Sequence, residues 1–89
     1  MIRTQVTIIN KLGLHARAAA KFVACTASFS SRINTGKDGK MVDAKSIMSV
    51  MMLAAGKGTV LDLEIEGSDE QDALAALQAL IANRFEEPE

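Results

Sequence analysis

Residues 60–66 read Val-Leu-Asp-Leu-Glu-Ile-Glu, and their strict alternation decides the fold class. Leu61, Leu63 and Ile65 fall on one side of an extended chain and Val60, Asp62, Glu64 and Glu66 on the other. That is the pattern of a strand with one buried and one wetted face. Gly67 ends it. Ser68, followed three residues later by Gln71, has the form of a capping box. Leu74, Leu77 and Ile81 then line one side of a last helix, which frays into the acidic tail Phe85-Glu86-Glu87-Pro88-Glu89.

Upstream of this strand, Gly56 and Gly58 close a short helix that Ser46 opens and that runs through Ala54. Before that helix, Ile33 and Thr35 mark a short strand, Gly36 and the Asp38-Gly39 pair turn the chain, and Met41 to Asp43 return it. At the start, Ile2, Thr4, Val6 and Ile8 alternate with Arg3, Gln5, Thr7 and Ile9 in another strand. Gly13 breaks it, and an Ala-rich helix follows from Ala16 to about Ala27, with Ala19, Phe22 and Val23 as its buried stripe. The order βαββαβα, with strands polar on one face, predicts an α+β fold in which an antiparallel sheet is covered by helices on its other side. The first six elements also fit the ferredoxin-like pattern, and element order leaves both topologies open.

The 89 residues suffice for a single domain, 1–89, with one core. Aromatics make up only 3% of the chain, with no Trp or Tyr, which removes the stacking platforms that bases or sugars require. A net charge of −1 argues against broad capture of nucleic acid or an anionic membrane surface. One His and one Cys cannot build a tetrahedral metal site, so no metal or other cofactor is expected. No apolar run is long enough for a membrane span and no signal peptide is visible, so a cytoplasmic location is expected.

The only histidine lies where a strand has ended and a helix begins, in Gly13-Leu14-His15-Ala16-Arg17. The first amides of a helix lack internal partners and carry the positive end of its dipole. A phosphoryl group on an imidazole at that point would meet those donors directly. Arg17 can add a planar cationic fork. Without a metal or second base, such a site suits holding a phosphoryl group better than hydrolysing it. The plain alternative is a polar helix start beside a surface arginine.

Gly13-Leu14-His15-Ala16-Arg17 resembles the active-site signature of the HPr family, the histidine-containing phosphocarriers of the phosphoenolpyruvate-dependent phosphotransferase system. The resemblance continues through Asp43-Ala44-Lys45-Ser46-Ile47-Met48, Gly58 and Gly67-Ser68-Asp69-Glu70, and covers essentially the whole chain. It implies an HPr-like open-faced β-sandwich: four antiparallel strands covered on one face by three helices. It also implies a carrier rather than an enzyme, monomeric, phosphorylated on Nδ1 of His15 by enzyme I and discharging to an EIIA-type protein with the help of Arg17. The family usually has Pro where this chain has Ala18; alanine keeps the helix, and function is expected to be retained.

Ser46 opens the second helix, where its hydroxyl can cap a free amide. By the resemblance it is also a regulatory phosphorylation site wherever an HPr kinase/phosphorylase is present. Ile47, Met48, Val50, Met51, Met52 and Leu53 make this helix apolar nearly all round. Burying Val50 and Leu53 leaves Ile47, Met48 and Met51 partly exposed, and pliable methionines suit docking. In the family this helix start and the turn after the histidine form the partner surface, here Ala16, Arg17, Ala20, Ile47, Met48 and Met51.

An RNA-binding module would need aromatics and a basic sheet face, where this chain has Asp and Glu. A metal-transfer module would need paired cysteines after the first strand. A phosphatase would need a second base or metals to activate water. Asn10-Lys11-Leu12 is similar to proteobacterial family members, including those of the nitrogen-related regulatory branch. Sugar uptake is the expected role and regulation the alternative.

Overall fold

The structure is a computed structural model that describes residues 1–89. The strands β1 (Ile2–Thr7), β2 (Arg32–Lys37), β3 (Lys40–Asp43) and β4 (Val60–Glu66) form one antiparallel sheet in the order β1-β4-β2-β3. The helices α1 (Ala16–Ala27), α2 (Ile47–Met52) and α3 (Glu70–Ala82) pack on one of its faces. The architecture is therefore the open-faced sandwich, four strands under three helices.

The alternation in β4 has the expected consequence. Leu61, Leu63 and Ile65 are wholly buried under the helices, each contributing about 1.5–3 kcal/mol of transfer free energy. On the open face the register sets Arg3 against Glu64 and Gln5 against Asp62. Those pairs meet at 3.2 Å and 2.9 Å, so the carboxylates form a polar ladder. β2 and β3 join through Asp38 and Gly39, both at positive φ as a tight primed turn requires.

In α1, Ala18, Phe22 and Thr26 recur every fourth residue and are fully buried beside Ala19. The Thr26 hydroxyl lies 2.8 Å from the Ala44 carbonyl, which fixes α1 against the segment leading into α2. Cys25 is half-buried on the same helix, and burial pushes its thiol up. The Lys45 ammonium donates to the Phe29 carbonyl at 2.7 Å, so this charge serves the α1–β2 loop.

Three local expectations are corrected. Helix α2 ends at Met52, two residues before Ala54, because Leu53 turns into the core and Ala54 itself takes the left-handed conformation. Neither Gly56 nor Gly58 closes it. Ser68 does not cap α3: the Glu70 side chain accepts from the Gly67 amide at 3.2 Å, while Asp69 is engaged elsewhere. Third, the tail does not fray. After Ala82 the chain makes a single 3-10 turn, Arg84–Glu86, with all three residues at positive φ. Phe85 is thereby driven into the core, fully buried beside α1 and α3. Such left-handed residues cost about 1–2 kcal/mol each, and burial of the phenyl ring, about 1.5–3 kcal/mol, offsets part of that.

Candidate functional site

Residues Asn10 to Leu14 turn β1 into α1. The Gly13 amide donates to the Asn10 carbonyl, and the Asn10 side-chain amide donates back to the Gly13 carbonyl at 2.8 Å, so one residue closes the turn from both sides. Gly13 has φ +68°, and a Cβ there would stand 2.4 Å from the Ala55 carbonyl oxygen. This close approach lets the Leu14 amide donate to Ala55 at 2.8 Å, locking the loop after α2 onto the approach to α1.

His15 is the N-cap of α1, extended at φ −71° and ψ 177°. The first helical hydrogen bond runs from the Ala19 amide to the His15 carbonyl, which leaves the amides of residues 16–18 ahead of it. No side chain caps this end. The imidazole is about one-third exposed and sits in an open cleft of about 810 Å³ lined by Lys11, Leu12, His15, Ala16, Arg17, Glu87, Pro88 and Glu89.

The tail forms the far wall of that cleft. Glu87 accepts from the Asn10 amide at 2.9 Å with one carboxylate oxygen and engages Nε2 of His15 with the other. The Asn10 hydrogen bond, then that of His15 and the charges of His15 and Arg17, hold the Glu87 carboxyl below the usual range against the opposing effect of desolvation. An ionised carboxylate only accepts, so Nε2 carries a proton toward Glu87, and whenever the ring is neutral its lone pair is on Nδ1. Lys21 donates to the Phe85 carbonyl at 3.0 Å, and Lys11 meets Glu89 at 3.4 Å. Both cations tie the tail across the helix start.

Asn10 is wholly buried and its Oδ1 has no partner. An unpaired buried oxygen costs about 1–3 kcal/mol. What Asn10 contributes is its two donors, one to the turn and one to Glu87.

Of the residues singled out in the sequence, the cleft gathers His15, Ala16 and Arg17. Ala20 is exposed a turn further along α1. Ser46 is the N-cap of α2, accepting from the Ser49 amide at 3.3 Å. Ile47, Met48 and Met51 are exposed on α2, Met48 the most at 68%, and lie outside the cleft lining. Asn10 and Glu87 were not anticipated. The one available signal was spacing: Leu77, Ile81 and Phe85 continue a stripe at every fourth position.

The chain matches, over residues 2–83, the family described as "PTS HPr component phosphorylation site". It is similar to the phosphocarrier protein HPr of Cupriavidus necator, 57% identical over 89 residues and 100% of both chains. It is also similar to that of Pseudomonas aeruginosa, 58% identical over 86 residues and 96% of both chains. Among solved structures, the crystal structure of an HPr from Thermoanaerobacter tengcongensis matches with a TM-score of 0.95 and 47% identity, covering 100% of both chains.

Proposed function

Because the chain belongs to the HPr family of phosphocarriers of the bacterial phosphotransferase system, we propose that its single domain, residues 1–89, carries a phosphoryl group on Nδ1 of His15 between phospho-enzyme I and an EIIA-type protein, in the service of sugar uptake. The supporting observation is the placement of His15: an imidazole with its Nε2 taken up, standing at the start of α1 in an open cleft beside unpaired amides and Arg17. Nδ1 is then the nucleophile. The incoming phosphoryl oxygens meet the amides of residues 16–18 and the Arg17 guanidinium. The group is held on the ring for transfer to the next protein, and in this reading the chain is a carrier, not an enzyme.

In this reading the protein is a cytoplasmic monomer, and enzyme I docks on Ala16, Arg17 and Ala20 together with Ile47, Met48 and Met51. Ser46 is a second, regulatory site for an HPr kinase/phosphorylase: phosphate at the N-cap of α2 would add about two negative charges beside that docking face.

The test is intact-mass measurement after mixing with enzyme I and phosphoenolpyruvate. One acid-labile phosphoryl adduct, absent in His15→Ala, is expected; no adduct would overturn the assignment. For Ser46 the expected product, with ATP and the kinase, is an acid-stable adduct lost in Ser46→Ala.

A further inference from the structure

We propose that Glu87, anchored by Asn10, is a positioning residue for the phosphotransfer: its carboxylate holds the Nε2 proton of His15, keeps Nδ1 free as nucleophile, and balances the positive charge the ring gains with the phosphoryl group. The inference rests on the carrier reading of His15. Its basis is geometric. The Glu87 side chain is only 8% exposed, although it lies two residues from the end of the chain. It is brought there by a left-handed turn, by burial of Phe85 and by the Lys21 hydrogen bond to the Phe85 carbonyl. Both carboxylate oxygens are committed, one to Asn10 and one to the imidazole. Asn10 spends both amide protons on this turn and this carboxylate while its own buried oxygen stays unpaired.

The chemistry needs such a group. In loading, the Nδ1 lone pair attacks phosphorus, and the bond from phosphorus to the phosphorylated donor protein breaks with its electron pair staying on the donor. The ring, now bonded to phosphorus at Nδ1 and still carrying hydrogen at Nε2, has gained one positive charge. In unloading, the N–P bond breaks, its electron pair returns to Nδ1, and the ring is neutral again. The Nε2 proton stays in place throughout, so no acid or base has to act. Glu87 faces the ring from the side opposite Nδ1, close enough to stabilise the cation and away from the phosphoryl oxygens. The other charged groups facing the ring are Arg17 on α1, Lys11 on the preceding turn and Glu89 at the end of the tail. Lys11 and Glu89 are paired with each other, which leaves Glu87 as the carboxylate in contact with the imidazole.

The test uses the full chain as wild type, Glu87→Gln and Glu86→Gln. Glutamine keeps the shape but has one acceptor oxygen where glutamate uses two, so with that oxygen on Asn10 it removes both the charge and the acceptor that faces Nε2. Glu86, which pairs with Lys21 at 3.6 Å, controls for loss of a tail carboxylate. Each protein is equilibrated with enzyme I and phosphoenolpyruvate, and the phosphorylated fraction and the ³¹P resonance of the adduct are followed against pH. In Glu87→Gln the loading equilibrium should fall by about tenfold or more, the loss of a charge-assisted hydrogen bond to the ring. The ³¹P midpoint should move to lower pH by a similar factor in proton concentration, with Glu86→Gln like wild type. Equal equilibria and midpoints in all three proteins would overturn the role of Glu87 and leave the carrier reading standing. No adduct on the wild type would overturn both.

Discussion

Asp69, the N-cap of α3, holds Ser31, the residue before β2, by two hydrogen bonds, one from the Ser31 amide at 3.0 Å and one from its hydroxyl. The second oxygen accepts from the Ser30 amide at 2.8 Å and the Ser30 hydroxyl at 3.1 Å. Gly67 makes this closeness possible: at φ +156°, a Cβ there would lie 2.5 Å from the Ser31 hydroxyl oxygen. The Ser31 hydroxyl, then the Ser30 amide, and more weakly the Ser31 amide and Ser30 hydroxyl, lower the Asp69 carboxyl from 3.8 to about 2, against a smaller opposing effect of desolvation.

A pH dependence follows. The folded-state value lies below the unfolded one, so the stabilisation is fully present above 3.8 and is lost as pH falls toward about 2. The Glu87 carboxyl, also held low, adds to stability in the same direction. Urea unfolding of Asp69→Asn should show a flatter dependence on pH across this window than the wild type. Parallel curves would contradict the clamp.

Phe85→Ala should cost about 3–5 kcal/mol, as for a fully buried aromatic. Chemical denaturation measures the loss. The tail should be released as well, so backbone amides of residues 84–87 and 89 should exchange faster than in the wild type. A loss under about 1 kcal/mol would mean that the ring is not part of the core.

Gly13→Ala should destabilise by more than the roughly 1–2 kcal/mol of a left-handed alanine, because the new methyl also meets the Ala55 carbonyl oxygen and the Gly56 backbone. The response of the His15 ring resonances in the variant would reveal whether the turn also sets the imidazole. Near-wild-type stability is the result that would contradict the close approach.

Met48→Asp should leave the unfolding midpoint nearly unchanged, since this side chain is 68% exposed. Transfer kinetics from enzyme I should show a raised KM with kcat little altered, the signature of weakened docking. Unchanged kinetics would remove Met48 from the docking surface.

Most of the framework is legible in the sequence because burial writes itself into spacing. Leu61, Leu63 and Ile65 alternate with charged neighbours, and Ala19 and Phe22 share one side of a helix, so β4 and α1 declare their type; that Ala18 and Thr26 complete the buried stripe, with Val23 only partly covered, is decided by packing. His15 is legible as the single imidazole at a strand-to-helix junction. What escapes is whatever depends on distant partners. Ser68 has the better local credentials as a cap, but Asp69 is positioned by serines 38 and 39 positions away. The C-terminal end of α2 follows from Leu53 entering the core, which no glycine pattern announces. The tail is the extreme case. Its acidic composition resembles a solvated end, and its course is set by a left-handed turn that only the burial of Phe85 and the reach of Glu87 to Asn10 and His15 sustain.

The tail's course also bears on how the protein should be handled. Met1 pairs with Glu70 at the start of α3, whereas Glu89 pairs with Lys11 beside the imidazole. An affinity tag or fusion placed after Glu89 would pull on the segment in contact with the imidazole, whereas one before Met1 is separated from it by the length of β1, roughly 20 Å. Kinetic comparisons among variants should therefore be made on N-terminally extended or untagged chains.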